Sequence, residues 1–163
     1  MLSWTVRPAQ LTELPLCAGI LEAAARNLQA RGESLWPHSA MTVERLTAQY
    51  PPASFRLGWL GGQAAATMVL LAADPDFWPD ALVGEALYLH KLGVPPEFQG
   101  QGLAQLMLEA AVSEARAEGC TFLRLDTTWN RPKLRAIYEQ FGFEVRGRKV
   151  VHGYDVALYE LRV

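Results

Sequence analysis

The chain has 163 residues, half of them hydrophobic and a fifth charged, with a formal net charge of −2 at pH 7. These values fit one soluble globular domain, 1–163, and exclude a disordered chain or a fibre. Two cysteines exclude a disulfide scaffold, and the near-neutral balance argues against a nucleic-acid partner. The longest apolar stretch is 64–73, interrupted by Thr67, whereas a membrane span needs about 20 residues. The first residues lack the basic flank and apolar run of a secretory signal, so the expected location is cytoplasmic, without a membrane. Cys17 and Cys120 are too few for a zinc site without His or carboxylate help and read as reduced, buried thiols; no metal is expected.

Ser3–Val6 reads as a short strand. Cys17, Ile20, Leu21, Ala24 and Leu28 recur at helical spacing, which predicts a helix from about Thr12 to before Gly32. A loop with Trp36 and His38 follows, then a short helix through Val43 and Leu46. Phe55–Leu60 and Ala64–Leu71 are strand-like runs joined by Gly61-Gly62, a hairpin signal. The segment 74–85 is an acidic loop. Ala86–Val94 is a strand closed by Pro95-Pro96. Leu103, Leu106, Met107, Ala110, Ala111 and Ala115 give the clearest helical stripe. Thr121–Asp126 is the next strand. Pro132 opens a short helix with Leu134, Ile137 and Phe141 on one face. Phe143–Val151 and Tyr154–Val163 read as an antiparallel pair. The strand–helix–strand step implies one parallel crossover. The predicted fold is therefore α/β (α+β), with a mixed, mostly antiparallel sheet and about four helices.

Gln99-Gly100-Gln101-Gly102-Leu103-Ala104 leaves a strand and opens the strongest helix. Two glycines allow a sharp turn and close approach of a ligand. The first helix amides lack intrahelical partners and, with the macrodipole, suit a phosphate. A purely structural turn is the alternative. A Walker loop is absent, and Gln105 stands where a Rossmann fingerprint needs its third glycine.

These residues resemble the GNAT superfamily of N-acetyltransferases. Its signature, Gln/Arg-x-x-Gly-x-Gly/Ala, is matched by Gln99, Gly102 and Ala104. Asn130, followed by Tyr138-Glu139-Gln140-Phe141-Gly142-Phe143, is similar to the family's second motif, with one extra residue at Arg131-Pro132. The resemblance implies a splayed parallel pair in mid-sheet, with 1–85 on the acceptor side and 86–163 binding acetyl-CoA. It implies transfer of an acetyl group from acetyl-CoA to a primary amine of a small molecule or peptide, by direct attack on the thioester. A non-catalytic acyl-CoA-binding module of the same fold is the second reading. The strand edge at Leu92, Gly93 and Val94 would pair with pantetheine. The amides of Gln99, Gly100, Gln101, Gly102, Leu103 and Ala104 would hold the pyrophosphate, with Asn130 nearby. Tyr138 matches the family's proton donor to the departing thiolate.

The general base is less defined. The family's Glu on this strand corresponds to Tyr88 here. The candidates are Glu85 and His90; His90 has the more suitable chemistry and shares strand parity with Tyr88 and Leu92, with a hydrogen-bonded structural histidine, and a water chain as the base, as the alternatives. Asp126 is placed either to grip the acceptor amine or to cap a turn. Trp36 and His38 would wall the acceptor pocket. The acids of 74–85 would attract a cationic amine or form an ordinary exposed loop. Either a monomer or a homodimer is compatible with these features.

Overall fold

The computed structural model describes residues 2–163. Seven strands and four α-helices follow in order: β1 (Trp4–Pro8), α1 (Leu14–Ala30), α2 (Val43–Gln49), β2 (Phe55–Leu60), β3 (Gln63–Leu71), β4 (Ala86–Gly93), α3 (Leu103–Ala117), β5 (Phe122–Thr128), α4 (Pro132–Phe141), β6 (Glu144–Val151) and β7 (Tyr154–Arg162). The strands hydrogen-bond in the order β1-β2-β3-β4-β5-β7-β6. The β4–β5 pair is parallel, and β1–β2, β2–β3, β5–β7 and β6–β7 are antiparallel. This is the mixed sheet expected. β1 ends at Pro8, which an edge strand tolerates because its outer N–H positions need no ladder partner. Among the described residues no helix is long and apolar enough to cross a membrane.

The chain forms two compact units, each discontinuous in sequence. The first comprises Met1–Leu70 with Lys91–Ala110, and the second Leu71–His90 with Ala111–Val163. In the first, Cys17, Leu21, Ala25, Phe55, Leu57 and Met68 are buried in the core. The Cys17 thiol is pushed up by burial, an effect offset in part by a hydrogen bond with Thr67. Gly58, at the register shift of β2, leaves no space for a side chain. A Cβ there would collide with the Trp4 ring and lie 2.8 Å from Met107 Sδ. Gly58→Ala is therefore expected to destabilise the chain by about 1–3 kcal/mol in urea unfolding, the usual cost of overpacking.

In the second unit, the parallel register runs from Ala86↔Phe122 to Leu89↔Leu125 and stops. β5 continues through Asp126, Thr127 and Thr128, paired there with Leu158, Ala157 and Val156 of β7. His90 and Asp126 thus follow directly on the last pair, where the two strands part. The next residue, Lys91, has φ +52°, which breaks the alternation of a regular strand. The expectation that Leu92 shares a face with Tyr88 and His90 does not extend past that break.

α4 differs in phase from its expected stripe. Tyr138 is its buried residue, whereas Ile137 is half exposed. The Tyr138 ring packs edge-on against Phe143 (6.0 Å) and tilts against Tyr159 (6.3 Å). The inward stripe is Leu134, Tyr138, Phe141, at spacings of four and three, and Ile137 lies one position off it.

Candidate active site

Within the first unit, the exposed turn 99–102 joins a short 3-10 turn, Pro96–Phe98, to α3. Gly100 and Gly102 have φ +79° and +74°, and nothing lies within 4 Å of a Cβ at either position. Backbone conformation, not crowding, therefore demands glycine there. The Gly102 carbonyl accepts from the Leu106 amide (3.2 Å), which begins the helical ladder. The amides of Leu103, Ala104 and Gln105 form the first turn, which has no earlier carbonyls to bond within the helix. The Leu103 side chain is buried, so only its backbone serves the turn. Gln99 Nε2 donates to the Val94 carbonyl at 3.3 Å, tying the turn to the end of β4. Leu92 and Val94 are half-buried. Gly93 is buried, and a Cβ there would lie 2.9 Å from Leu21 Cδ2, so its place is close packing against α1.

In the second unit, strand register lines up three polar residues. Tyr88 stands opposite Arg124, and Arg124 opposite Glu160. Arg124 donates to Glu160 Oε2 (2.9 Å), Glu85 Oε2 (2.9 Å) and Tyr88 Oη (3.1 Å), and its guanidinium lies 4.7 Å from the Trp78 ring centre. Two residues along each strand, on the same face by strand parity, come His90 and Asp126. His90 Nε2 is 2.8 Å from Asp74 Oδ2, and His90 Nδ1 is 3.9 Å from Asp126 Oδ1. The side chains of Asp74, His90 and Asp126 are only 12–15% exposed. Their donor atoms lie within 4.8 Å of one another. The imidazole is hydrogen-bonded to Asp74 through one nitrogen and turns its other nitrogen toward Asp126, beyond direct hydrogen-bond reach.

The Tyr138 hydroxyl is pushed up to about 12, first by burial and then by the negative charge of Asp126. It stays protonated throughout the neutral range. Neither cysteine is a candidate nucleophile. Both are free and buried, and burial raises both thiols, so little thiolate forms near pH 7.

Residues 21–143 match the model of the acetyltransferase (GNAT) family. The chain belongs to this family. It is similar to the uncharacterized N-acetyltransferase YesJ of Bacillus subtilis (strain 168), at 27% identity over 146 residues, covering 86% of this chain and 81% of that one. In fold it is similar to a GNAT acetyltransferase from Listeria monocytogenes 4b F2365, with a TM-score of 0.81, 24% identity and coverage of 98% and 95%. It also shares the fold of the aminoglycoside acetyltransferase AAC(6')-Ib solved with coenzyme A, with a TM-score of 0.74, 15% identity and coverage of 98% and 95%. The chain is an acetyl-CoA-dependent acetyltransferase.

Within this GNAT chain the site residues read from sequence fall into separate groups. His90 and Asp126 are brought together, and Asp126 bears electrostatically on Tyr138. Trp36 is half-buried with the Lys91 ammonium 4.9 Å from its ring centre, and His38 Nδ1 lies 3.8 Å from Glu22. Asn130 is exposed in the turn before α4. Two residues escaped the sequence reading. Arg124 carries no local signal in sequence, and its buried role follows from register with Tyr88 and Glu160. Asp74 looked like one acid among four in a loop, and no local pattern marks its contact with a residue sixteen positions on.

Proposed function

We propose that this acetyltransferase moves an acetyl group from acetyl-CoA to a primary amine of a small molecule or peptide, with the amine attacking the thioester directly. The observation that carries the reading is His90, hydrogen-bonded to Asp74 and with its other nitrogen 3.9 Å from Asp126, at the point where β4 and β5 part. A primary ammonium, with a pKa near ~10, needs a base at neutral pH, and an imidazole beside carboxylates is suited to that task. Tyr138 is the complementary acid. Its phenol keeps its proton and presents it to sulfur as negative charge builds on the departing thiolate.

The turn's fit to acetyl-CoA rests on the backbone. Two positive-φ glycines and the first-turn amides of α3 present N–H groups rather than side chains, which suits a pyrophosphate. The edge near Leu92 and Val94 is assigned to the amide-bearing pantetheine arm. Asp126 is assigned to the acceptor ammonium, and Trp36 and His38 to the acceptor's body.

The test is thiol release from acetyl-CoA in the presence of spermidine, kanamycin or a lysine peptide, each paired with a hydroxyl analogue lacking primary amines. Release with an amine and not with its hydroxyl analogue is the expected result. Acetyl-CoA binding without release from any primary amine would favour a non-catalytic acyl-CoA-binding module.

A further inference from the structure

We infer that Asp74 is a positioning residue for the proton transfer, holding His90 in the tautomer that carries its proton on Nε2 and directs the basic Nδ1 toward Asp126. This rests on the reading of His90 as the base. A carboxylate only accepts hydrogen bonds, so at 2.8 Å the shared proton belongs to His90 Nε2. The two side chains are 12% and 13% exposed, which limits competition from water. Asp74 is itself placed by its own turn, since its backbone carbonyl accepts from the amides of Phe77 (3.2 Å) and Trp78 (2.9 Å). The Phe77 ring, 6.0 Å from the imidazole, packs beside it. Asp74 from the loop and Asp126 from β5 face the ring, with Tyr138 of α4 under the influence of Asp126.

The step follows from this geometry. An N–H bond of the acceptor ammonium breaks, its electron pair stays on nitrogen, and the proton passes to His90 Nδ1. The imidazolium so formed lies between two carboxylates. It returns the proton to solvent after the acetyl group has moved. With the opposite tautomer Nδ1 would already carry a hydrogen and could not accept the proton.

The tautomer can be read without turnover by long-range proton–nitrogen NMR on the full chain labelled at histidine, with the His90 signal assigned by loss in His90→Gln. Wild type is expected to carry the proton on Nε2. In Asp74→Asn, whose amide can donate to Nε2, the proton is expected to shift to Nδ1. For the same variant kcat should fall by about 10²-fold with KM for the amine changed less than about threefold. Asp76→Asn, on an exposed acid of the same loop, should leave kcat unchanged. A wild-type proton on Nδ1 would overturn the inference even if Asp74→Asn failed to fold. So would a folded Asp74→Asn with unchanged tautomer and kcat while His90→Gln is inactive. If His90→Gln keeps full activity, the base assignment itself fails, whatever Asp74 does to the ring.

Discussion

Tyr138→Phe is expected to lower kcat by about 10²- to 10³-fold and leave the affinity for acetyl-CoA within about threefold. General acid catalysis is worth that much when one positioned proton meets a developing charge. The substitution removes only a hydroxyl, so the ring contacts with Phe143 and Tyr159 remain. The same assignment fixes a pH dependence. The acid is active while protonated, and burial with the Asp126 charge raises it to about 12. Activity should therefore show no fall attributable to this group near pH 10, where an ordinary tyrosine would be half ionised. Steady-state kinetics and calorimetric titration with acetyl-CoA check both statements. Parallel loss of affinity and melting temperature, with kcat little changed, would mark Tyr138 as packing.

Arg124→Met is expected to cost about 3–5 kcal/mol of stability, the range seen when one partner of a buried ion pair is removed. At this chain length that corresponds to a melting temperature roughly 10 °C lower. Burial by itself lowers the Arg124 guanidinium's hold on its proton. Hydrogen bonds with Glu85, Tyr88 and Glu160 outweigh that and raise it above the ordinary value. Removing it takes one of two arginine partners from Glu160, whose side chain is only 11% exposed, and leaves it the half-exposed Arg146 at 3.2 Å. Adding Glu160→Leu should recover part of the loss, because the largely buried carboxylate that lost its Arg124 partner is then gone. Glu85 is held below the usual carboxylate range by Arg124 and then by the Leu82 amide. Its contribution is present above that range and fades as pH falls through its depressed pKa. The gap between wild type and Arg124→Met should therefore narrow below about pH 4. A loss under about 1 kcal/mol in denaturant unfolding would contradict this role.

Much of the sheet was legible because its turns are chemical. Gly61-Gly62 and His152-Gly153 join strands in two-residue loops, and all four residues have positive φ, as such hairpins require. The turn at Gly100 and Gly102 was legible for the same reason, since its glycines answer a backbone demand rather than a packing one. The parting of β4 and β5 came from family resemblance, because alternation alone predicts continued pairing. What stayed hidden depends on contacts distant in sequence. In α4, Tyr138 is buried against the Tyr159 ring from β7, while Ile137 is left half exposed. Asp74 sits among acids that look alike in sequence, yet it is largely buried at 12% exposure while Asp76 remains at 63%. Only the return of the chain from that loop into β4 distinguishes them.

Direct transfer to an amine is tested by mixing the protein with acetyl-CoA, with and without the best amine of the panel, quenching, and weighing protein and amine by mass spectrometry. The account predicts acetylated amine formed in step with thiol release, and an unmodified protein in both samples. Thiol release without amine, with an acetyl group left on the protein, would contradict it.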